Sequence, residues 1–315
     1  MSRTVLVTGA AGFIGSHVAE ALLRRGDRVR GIDSLDPFYD PAIKRRNVEE
    51  VRRVGDLSFV EGDIRDAAAV RDAIQGCDAV VHLAAKAGVR PSLRDPVGYA
   101  DVNVRGTAVL LEAAAAAGVR TFVAASSSSV YGSRSKVPFS EDDPCDRPVS
   151  PYAATKRAME LLCASFQANH AGMDLPCLRF FTAYGPRQRP EMAIHAFARA
   201  IEEGRSIPVF GDGSSRRDYT YIADIAAGVL GALDGGKGFR IFNLGESRTT
   251  TLTDLVAALE KALGKKAVID RKPDQPGDVP LTCADVSRAR AELGYEPSTT
   301  LEVGLGRFVE WMRGR

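Results

Sequence analysis

Over the first 180 or so positions, short runs of β-branched and apolar residues alternate with longer segments of helical period. TVLVT (4–8), RVRGI (28–32), LSFVE (57–61), AVVHLAA (79–85), TFVAA (121–125) and LPCLRFF (175–181) predict strands. Between most of them lie amphipathic stretches such as FIGSHVAEALLRR (13–25). Strands and helices alternating at this length predict an α/β protein whose parallel sheet carries crossover helices on both faces, a doubly wound arrangement. The alanine-rich AVLLEAAAAAG (108–118) looks like low complexity. Alanine is the best helix former and Gly118 a natural stop, so the stretch reads as a packed helix. After Ala183 the alternation loosens into a region rich in Pro, Arg and Gly. This predicts a boundary near 182/183, with a smaller substrate-binding domain over 183–315. GFRIFNLG (238–245) reads as one more strand of the main sheet, so a segment near 222–245 should return to the first domain.

Composition narrows the possibilities. The chain has 315 residues, 45% hydrophobic and 26% charged, ordinary for a globular protein with a substantial core. A net charge of +2 without long single-sign runs gives no reason to expect a nucleic-acid surface. No apolar run approaches the roughly 18 residues that span a bilayer. A strand that begins at Thr4 predicts no signal peptide. Five scattered cysteines without CxxC spacing predict reduced thiols and a cytoplasmic protein. Four isolated histidines predict no metal site.

VTGAAGFIG places Gly9, Gly12 and Gly15 between the first strand and the first helix. Glycine lets the backbone turn tightly and approach a pyrophosphate, and the helix N-terminus offers free N–H groups. The next strand is followed by Asp33, whose carboxylate can accept both adenosine ribose hydroxyls and repel a 2′-phosphate. The combination predicts a Rossmann-type site preferring NAD to NADP, although Arg45 and Arg46 leave that preference open. Asp63 is a candidate for the adenine amino group or for a helix entry. Further on, VSPYAATKRAMELL (149–162) puts Tyr152 and Lys156 four residues apart on one helix face. Ser150 is placed to cap that helix, and Pro151 suits its first turn. A tyrosine with a pKa of about 10 is a weak base at neutral pH unless nearby positive charge favours the phenolate.

These pieces resemble the extended short-chain dehydrogenase/reductase family and, within it, the nucleotide-sugar 4-epimerases that act on UDP-glucuronate. The resemblance runs through GAAGFIGSH, HLAAKAGVRPS, NVRGT, SSSSVYG, PVSPYAATK, RFFTAYGPRQRPEMA, FGDGSSRRDYTYIADI and QPGDVPLTCAD, nearly the whole chain. It implies transient oxidation of the sugar at C4, turning of the 4-keto sugar, and return of hydride to the other face, with NAD regenerated. Tyr152 would be the base, Lys156 would hold the cofactor ribose, and Ser127 would assist at the 4-hydroxyl. Around the cofactor the resemblance places Phe13, Ile14 and Ile64, then Leu83, Ala84, Ala85 and Asn103. Arg217 resembles the arginine that meets the diphosphate, with Arg216 as its competitor. Asp278 resembles the carboxylate on the uridine ribose, and Val209 and Phe210 lie where relatives hold uracil. Thr182 and Gln275 stand where enzymes for neutral hexoses carry other residues, which favours a uronic acid. Its carboxylate would meet Arg189, or else Arg187, with Thr182, Ser128 and Ser129 adding donors; Arg90 belongs to a block typical of this group. A homodimer through the helices containing NVRGTAVLLEAAAAAG and YAATKRAMELLCASF is also implied. Related decarboxylases and dehydratases carry glutamate where this chain has Ser129, so the serine run is expected to hold the sugar rather than to act as a linker.

Overall fold

In the computed structural model, which describes residues 2–134, 136–273 and 279–314, seven strands form one parallel sheet. They are β1 (Thr4–Thr8), β2 (Arg28–Asp33), β3 (Leu57–Glu61), β4 (Ala79–His82), β5 (Thr121–Ser127), β6 (Leu175–Phe180) and β7 (Phe239–Leu244). The order across the sheet is β7-β6-β5-β4-β1-β2-β3. The chain therefore leaves β1 in one direction for β2 and β3, then crosses back to lay β4 on the other side of β1. Ligands of open α/β sheets bind beyond the carboxyl ends of the strands at such a reversal.

The central strands β1, β4 and β6 are buried along their whole length because both of their faces are covered, whereas the edge strand β3 is buried mainly at Leu57. Val5 and Val7 point into one core cluster together with Val81, Val123 and Leu178. Leu6 points into the opposite cluster with Val80, Phe122 and Cys177. The period of two sends neighbours to opposite faces, and each face finds helices. One cluster draws on α1 (Phe13–Arg24), α2 (Pro41–Arg52) and later helices, including Ile222–Gly235. The other draws on Ala67–Ile74, Gly106–Ala116 and Pro151–Asn169. The alanine-rich stretch belongs to the second of these three helices, with Leu110, Leu111 and Ala114 buried.

Beyond Phe181 the chain builds three small strand pairs. Thr182–Tyr184 pairs in parallel with Tyr219–Tyr221, and Ser206–Phe210 in parallel with Val268–Lys272. Arg216–Arg217 pairs antiparallel with Thr250–Thr251. Between them the chain returns to the main sheet, where β7 takes the edge next to β6. No disulfide joins any of the five cysteines. Among the described residues no helix is long and apolar enough to cross a membrane, and no group of three or more His, Cys, Asp or Glu could hold a metal ion.

Candidate active site

The carboxyl ends of the strands open into a cavity of about 960 Å³. Its floor is the turn after β1. Gly9 adopts φ +70° there, and a Cβ on it would stand 2.8 Å from the backbone nitrogen of Ala84. A Cβ on Gly15 would stand 2.0 Å from the carbonyl oxygen of Gly9. Both positions are sterically closed to any side chain, so the first turn of α1 lies directly against the loop. This leaves a backbone cradle open to a pyrophosphate at a helix N-terminus, the group that NAD would present.

Asp33, at the end of β2, reaches the same loop. One carboxylate oxygen accepts from the N–H of Ala11 at 3.1 Å and the other from the N–H of Leu35 at 2.8 Å. Burial pushes its pKa upward, against the pull of Lys44 and of these two N–H groups. Sequence reasoning misses Lys44, because in KRRNVEE it looks like any other surface base. In the structure it lines the cavity, donates to the carbonyl of Asp36 at 2.8 Å and sits 4.7 Å from the centre of the Tyr39 ring. Arg45, one of the two arginines that cloud the cofactor preference, turns outward to Glu61 at 3.2 Å. Neither Arg45 nor Arg46 lines the cavity.

Asp63 and Ile64, after β3, line the cavity with Phe13, Ile14 and the turn Leu83–Ala85 after β4. Asp63 is heavily engaged. Arg65 donates to it from Nε, Nη2 and its backbone N–H at 3.0, 2.6 and 2.8 Å, and this bonding holds its carboxyl below the usual range. Asn103 takes a different place from the one expected. Its Oδ1 accepts from the N–H of Lys86 at 2.8 Å, while Nδ2 donates to the carbonyl of Lys86 and to Thr155. It is buried behind the cavity wall and braces the loop after β4; its polar atoms are all used there.

The reactive group stands on the opposite wall. Ser150 caps the helix Pro151–Asn169, its Oγ accepting from the N–H of Ala153 at 3.2 Å. That fixes the first turn and sets Tyr152 and Lys156 toward β5. Tyr152 lines the cavity together with Ser127. Burial raises its pKa, and the two influences that favour the phenolate are Ser127 and the charge of Arg189. Lys156 is buried and donates from Nζ to the carbonyl of Ala125 at 2.6 Å. Desolvation lowers its pKa to about 8.

The serine run divides by environment. Ser126 is buried and donates to Glu160 at 2.6 Å, joining the buried pair of that carboxylate with Arg179. Ser127 accepts from the Oγ and the N–H of Ser129, at 2.9 and 3.2 Å, at the start of a 3₁₀ turn over Ser128–Tyr131. Ser127, Ser128 and Ser129 all line the cavity.

Thr182, Arg90, Arg189 and Arg217 complete the lining. The arginine pairs Arg187/Arg189 and Arg216/Arg217 are placed differently. Arg187 is buried in an ion pair with Glu20 of α1 and lies 3.4 Å from Glu50 of α2, outside the cavity. Arg216 is committed to Thr249, with 2.8 Å from Nε to Oγ1, which leaves Arg217 facing the cavity. Val209 packs in the core. Phe210 next to it lies under the Arg90 guanidinium, 5.4 Å from ring centre to Cζ. Asp278 and Gln275 lie outside the described residues; Val279 and Thr282 bring the following segment to the cavity.

The NAD dependent epimerase/dehydratase family model matches residues 5–245. UDP-glucuronate 4-epimerase 5 of Arabidopsis thaliana is 47% identical, over 99% of this chain and 76% of its own length. UDP-glucuronate 4-epimerase of Thermodesulfobacterium geofontis is 42% identical over 98% of this chain and 95% of its own. The crystal structure of UDP-glucuronic acid 4-epimerase from Bacillus cereus, in complex with UDP-glucuronic acid and NAD, superposes with a TM-score of 0.93. That enzyme is 36% identical, over 99% of both chains. With the glycine cradle, Asp33 and the Tyr152–Lys156 pair gathered at one strand reversal, the chain belongs to the NAD dependent epimerase/dehydratase family.

Proposed function

We propose that this protein interconverts UDP-glucuronate and UDP-galacturonate by inverting the sugar at C4. The observation that carries the reading is one cavity joining a dinucleotide cradle, a Ser127–Tyr152 pair and the arginine edge of Arg189. Bound NAD would supply the reversible hydride acceptor for C4. Gly9, Gly12 and Gly15 would hold its pyrophosphate, and Asp33 its adenosine ribose. Tyr152 takes the proton of the 4-hydroxyl and returns it after the sugar has turned. Ser127 stays hydrogen-bonded to the same oxygen and passes charge no further. Lys156, which donates to the carbonyl of Ala125, would also hold the cofactor ribose. Arg217 meets the diphosphate, and Arg90 closes the same side.

A uronate oxidised at C4 is a β-keto acid, which loses CO₂ when the breaking bond aligns with the carbonyl. Arg189, Thr182, Ser128 and Ser129 hold the carboxylate out of that alignment with a charge and neutral donors. We further propose that residues 183–315, less the returning segment 222–245, form the unit that binds the nucleotide sugar. The helices Gly106–Ala116 and Pro151–Asn169 would pair with those of a second copy, an arrangement consistent with Leu161, which is 55% exposed on the longer helix. Unpaired cysteines suit a reducing compartment such as the cytoplasm.

Purified protein given UDP-glucuronate, followed by separation of the nucleotide sugars, tests the reading. UDP-galacturonate with little UDP-pentose is expected, without added NAD, and Tyr152→Phe should lower turnover about 10²- to 10⁴-fold. Mainly UDP-pentose, or a mutant retaining more than about a tenth of the rate, would contradict it.

A further inference from the structure

The segment 34–40 runs from the cofactor acid Asp33 to the first turn of α2, and it is pinned along its length. Leu35 donates its N–H to Asp33 at 2.8 Å, Phe38 donates to Asp36 at 2.9 Å, and Asp40 caps α2 at the N–H of Ala42 at 2.9 Å. Lys44 holds the carbonyl of Asp36 from below at 2.8 Å. So fixed, the segment presents Phe38, which lines the cavity while 45% exposed. An aromatic ring left this open gains little from burial, so packing alone does not account for it. Its partner is Arg189, whose guanidinium carbon lies 5.6 Å from the ring centre. The Nε of Arg189 pairs with Glu191 at 3.0 Å.

These two contacts divide the guanidinium. A stacked arginine gives its π face to the ring and keeps its N–H edges free in the plane. With Nε engaged by Glu191, the edge that remains for a ligand belongs to the two Nη atoms, which can form the paired bonds that a carboxylate accepts. We propose that Phe38 is a positioning residue for sugar specificity: together with Glu191 it aims the Arg189 edge at the carboxylate of a UDP-uronate. A neutral hexose makes no demand on that edge, so Phe38 separates the two substrate classes without touching the reacting atoms. The inference rests on the assignment of Arg189 to the sugar carboxylate made above.

The test uses the full-length protein with its NAD content measured by mass. Binding of UDP-glucuronate, UDP-glucose and UDP is followed by calorimetry, and epimerisation by steady-state kinetics. Phe38→Ala should weaken UDP-glucuronate about three- to tenfold in Kd and KM. Binding of UDP and UDP-glucose, NAD content and kcat should stay within about twofold. Phe38→Tyr, which keeps the π face, should restore the wild-type values, and Phe38→Leu, which keeps only apolar bulk, should not. If Phe38→Ala sheds NAD, the Tyr and Leu variants carry the same comparison. The proposal is overturned if UDP-glucuronate binds Phe38→Ala as it binds wild type, if UDP weakens equally, or if leucine restores selectivity. Because binding is read separately from turnover, a wild type that binds UDP-glucuronate without epimerising it contradicts the proposed reaction and leaves the Phe38 comparison intact.

Discussion

The two ends of the cavity are built in different ways. The cofactor end comes from the turns after β1, β2, β3 and β4, in chain order. Its shape follows from strand order and from two glycines that admit no Cβ. The end proposed to take the sugar gathers Arg90, Ser127–Ser129, Thr182, Arg189 and Arg217 from segments far apart in sequence, and the roles proposed for them are side-chain roles. One end is specified by topology, and the other by which side chains the loops present. Loop side chains can change without disturbing the sheet, so relatives sharing one cofactor cradle can act on different sugars.

The largest effect expected from this contrast is at Gly15. An alanine there places its Cβ 2.0 Å from the carbonyl oxygen of Gly9 and 2.7 Å from its carbon, both backbone atoms of the loop itself. No side-chain rotation relieves that clash, so Gly15→Ala should leave a protein that purifies without nucleotide or fails to fold. A Cβ on Gly306, in the helix Leu301–Arg313, would meet nothing within 4 Å, and Gly306→Ala should be neutral or slightly stabilising. Absorbance and mass analysis of nucleotide released on denaturation reads both. A Gly15→Ala protein with full NAD content would break the claim that the cofactor end is set by backbone sterics.

Arg189→Ala probes the other end, with an intermediate effect and a different signature. Losing a charge-assisted contact should raise KM for UDP-glucuronate about ten- to a hundredfold while UDP-glucose changes by less than about threefold. Equal weakening of both would make Arg189 a diphosphate contact and erase the division of labour between it and Arg217.

The same contrast decides what the sequence reveals. All seven main-sheet strands are legible: burial on both faces makes β1, β4 and β6 nearly continuous apolar runs, and the edge strands β3 and β7 still carry short β-branched or aromatic runs. The glycine turn, Asp33 and the Tyr152–Lys156 pair are legible through spacing that the turn and the helix impose. The small pairs after Phe181 are not, since strands as short as Arg216–Arg217 show no period. Lys44 and Phe38 are hidden for a related reason: a base in a charged helix and an aromatic in a loop look alike whether or not a cavity lies beside them. Asn103 and Val209 show contacts that the sequence does not announce: the polar atoms of Asn103 brace Lys86 and Thr155, and Val209 packs in the core. Ser126 likewise serves the Glu160–Arg179 pair, which no local signal announces because Arg179 meets it from a different strand.

The smallest effect concerns what lies behind the cofactor end. His82, at the end of β4, is buried between two threonines, with Nδ1 2.8 Å from the Oγ1 of Thr8 and Nε2 2.9 Å from the Oγ1 of Thr107. Thr8 accepts from the N–H groups of Leu83 and Ala84 at 3.2 and 3.1 Å, so its hydroxyl proton is free to go to Nδ1. Thr107 donates to the carbonyl of Asn103 at 2.6 Å, so it accepts from Nε2–H. A neutral imidazole satisfies the whole chain, whereas a second proton on Nδ1 would face a hydroxyl already committed. Burial lowers the pKa of His82 from 6.5 to about 3. Between those values the unfolded state binds a proton that the native state refuses, so stability is full above pH 6.5 and falls as the pH drops through the window. The slope is at most about 1.4 kcal/mol per pH unit, or about 2 kcal/mol between about pH 6.5 and about pH 5. His17, lowered to about 3, adds a slope of the same sign, while Asp218 and Glu246, raised to about 6 and about 7, oppose it. Subtracting His82→Gln from wild type removes those shared contributions. The variant should be less stable at about pH 7.5, where the relay is intact in wild type, and the gap should narrow steadily toward about pH 5 in denaturant melts. Parallel curves would mean that His82 takes up its proton in the native state, and that the turn holding Leu83 and Ala84 does not depend on this relay.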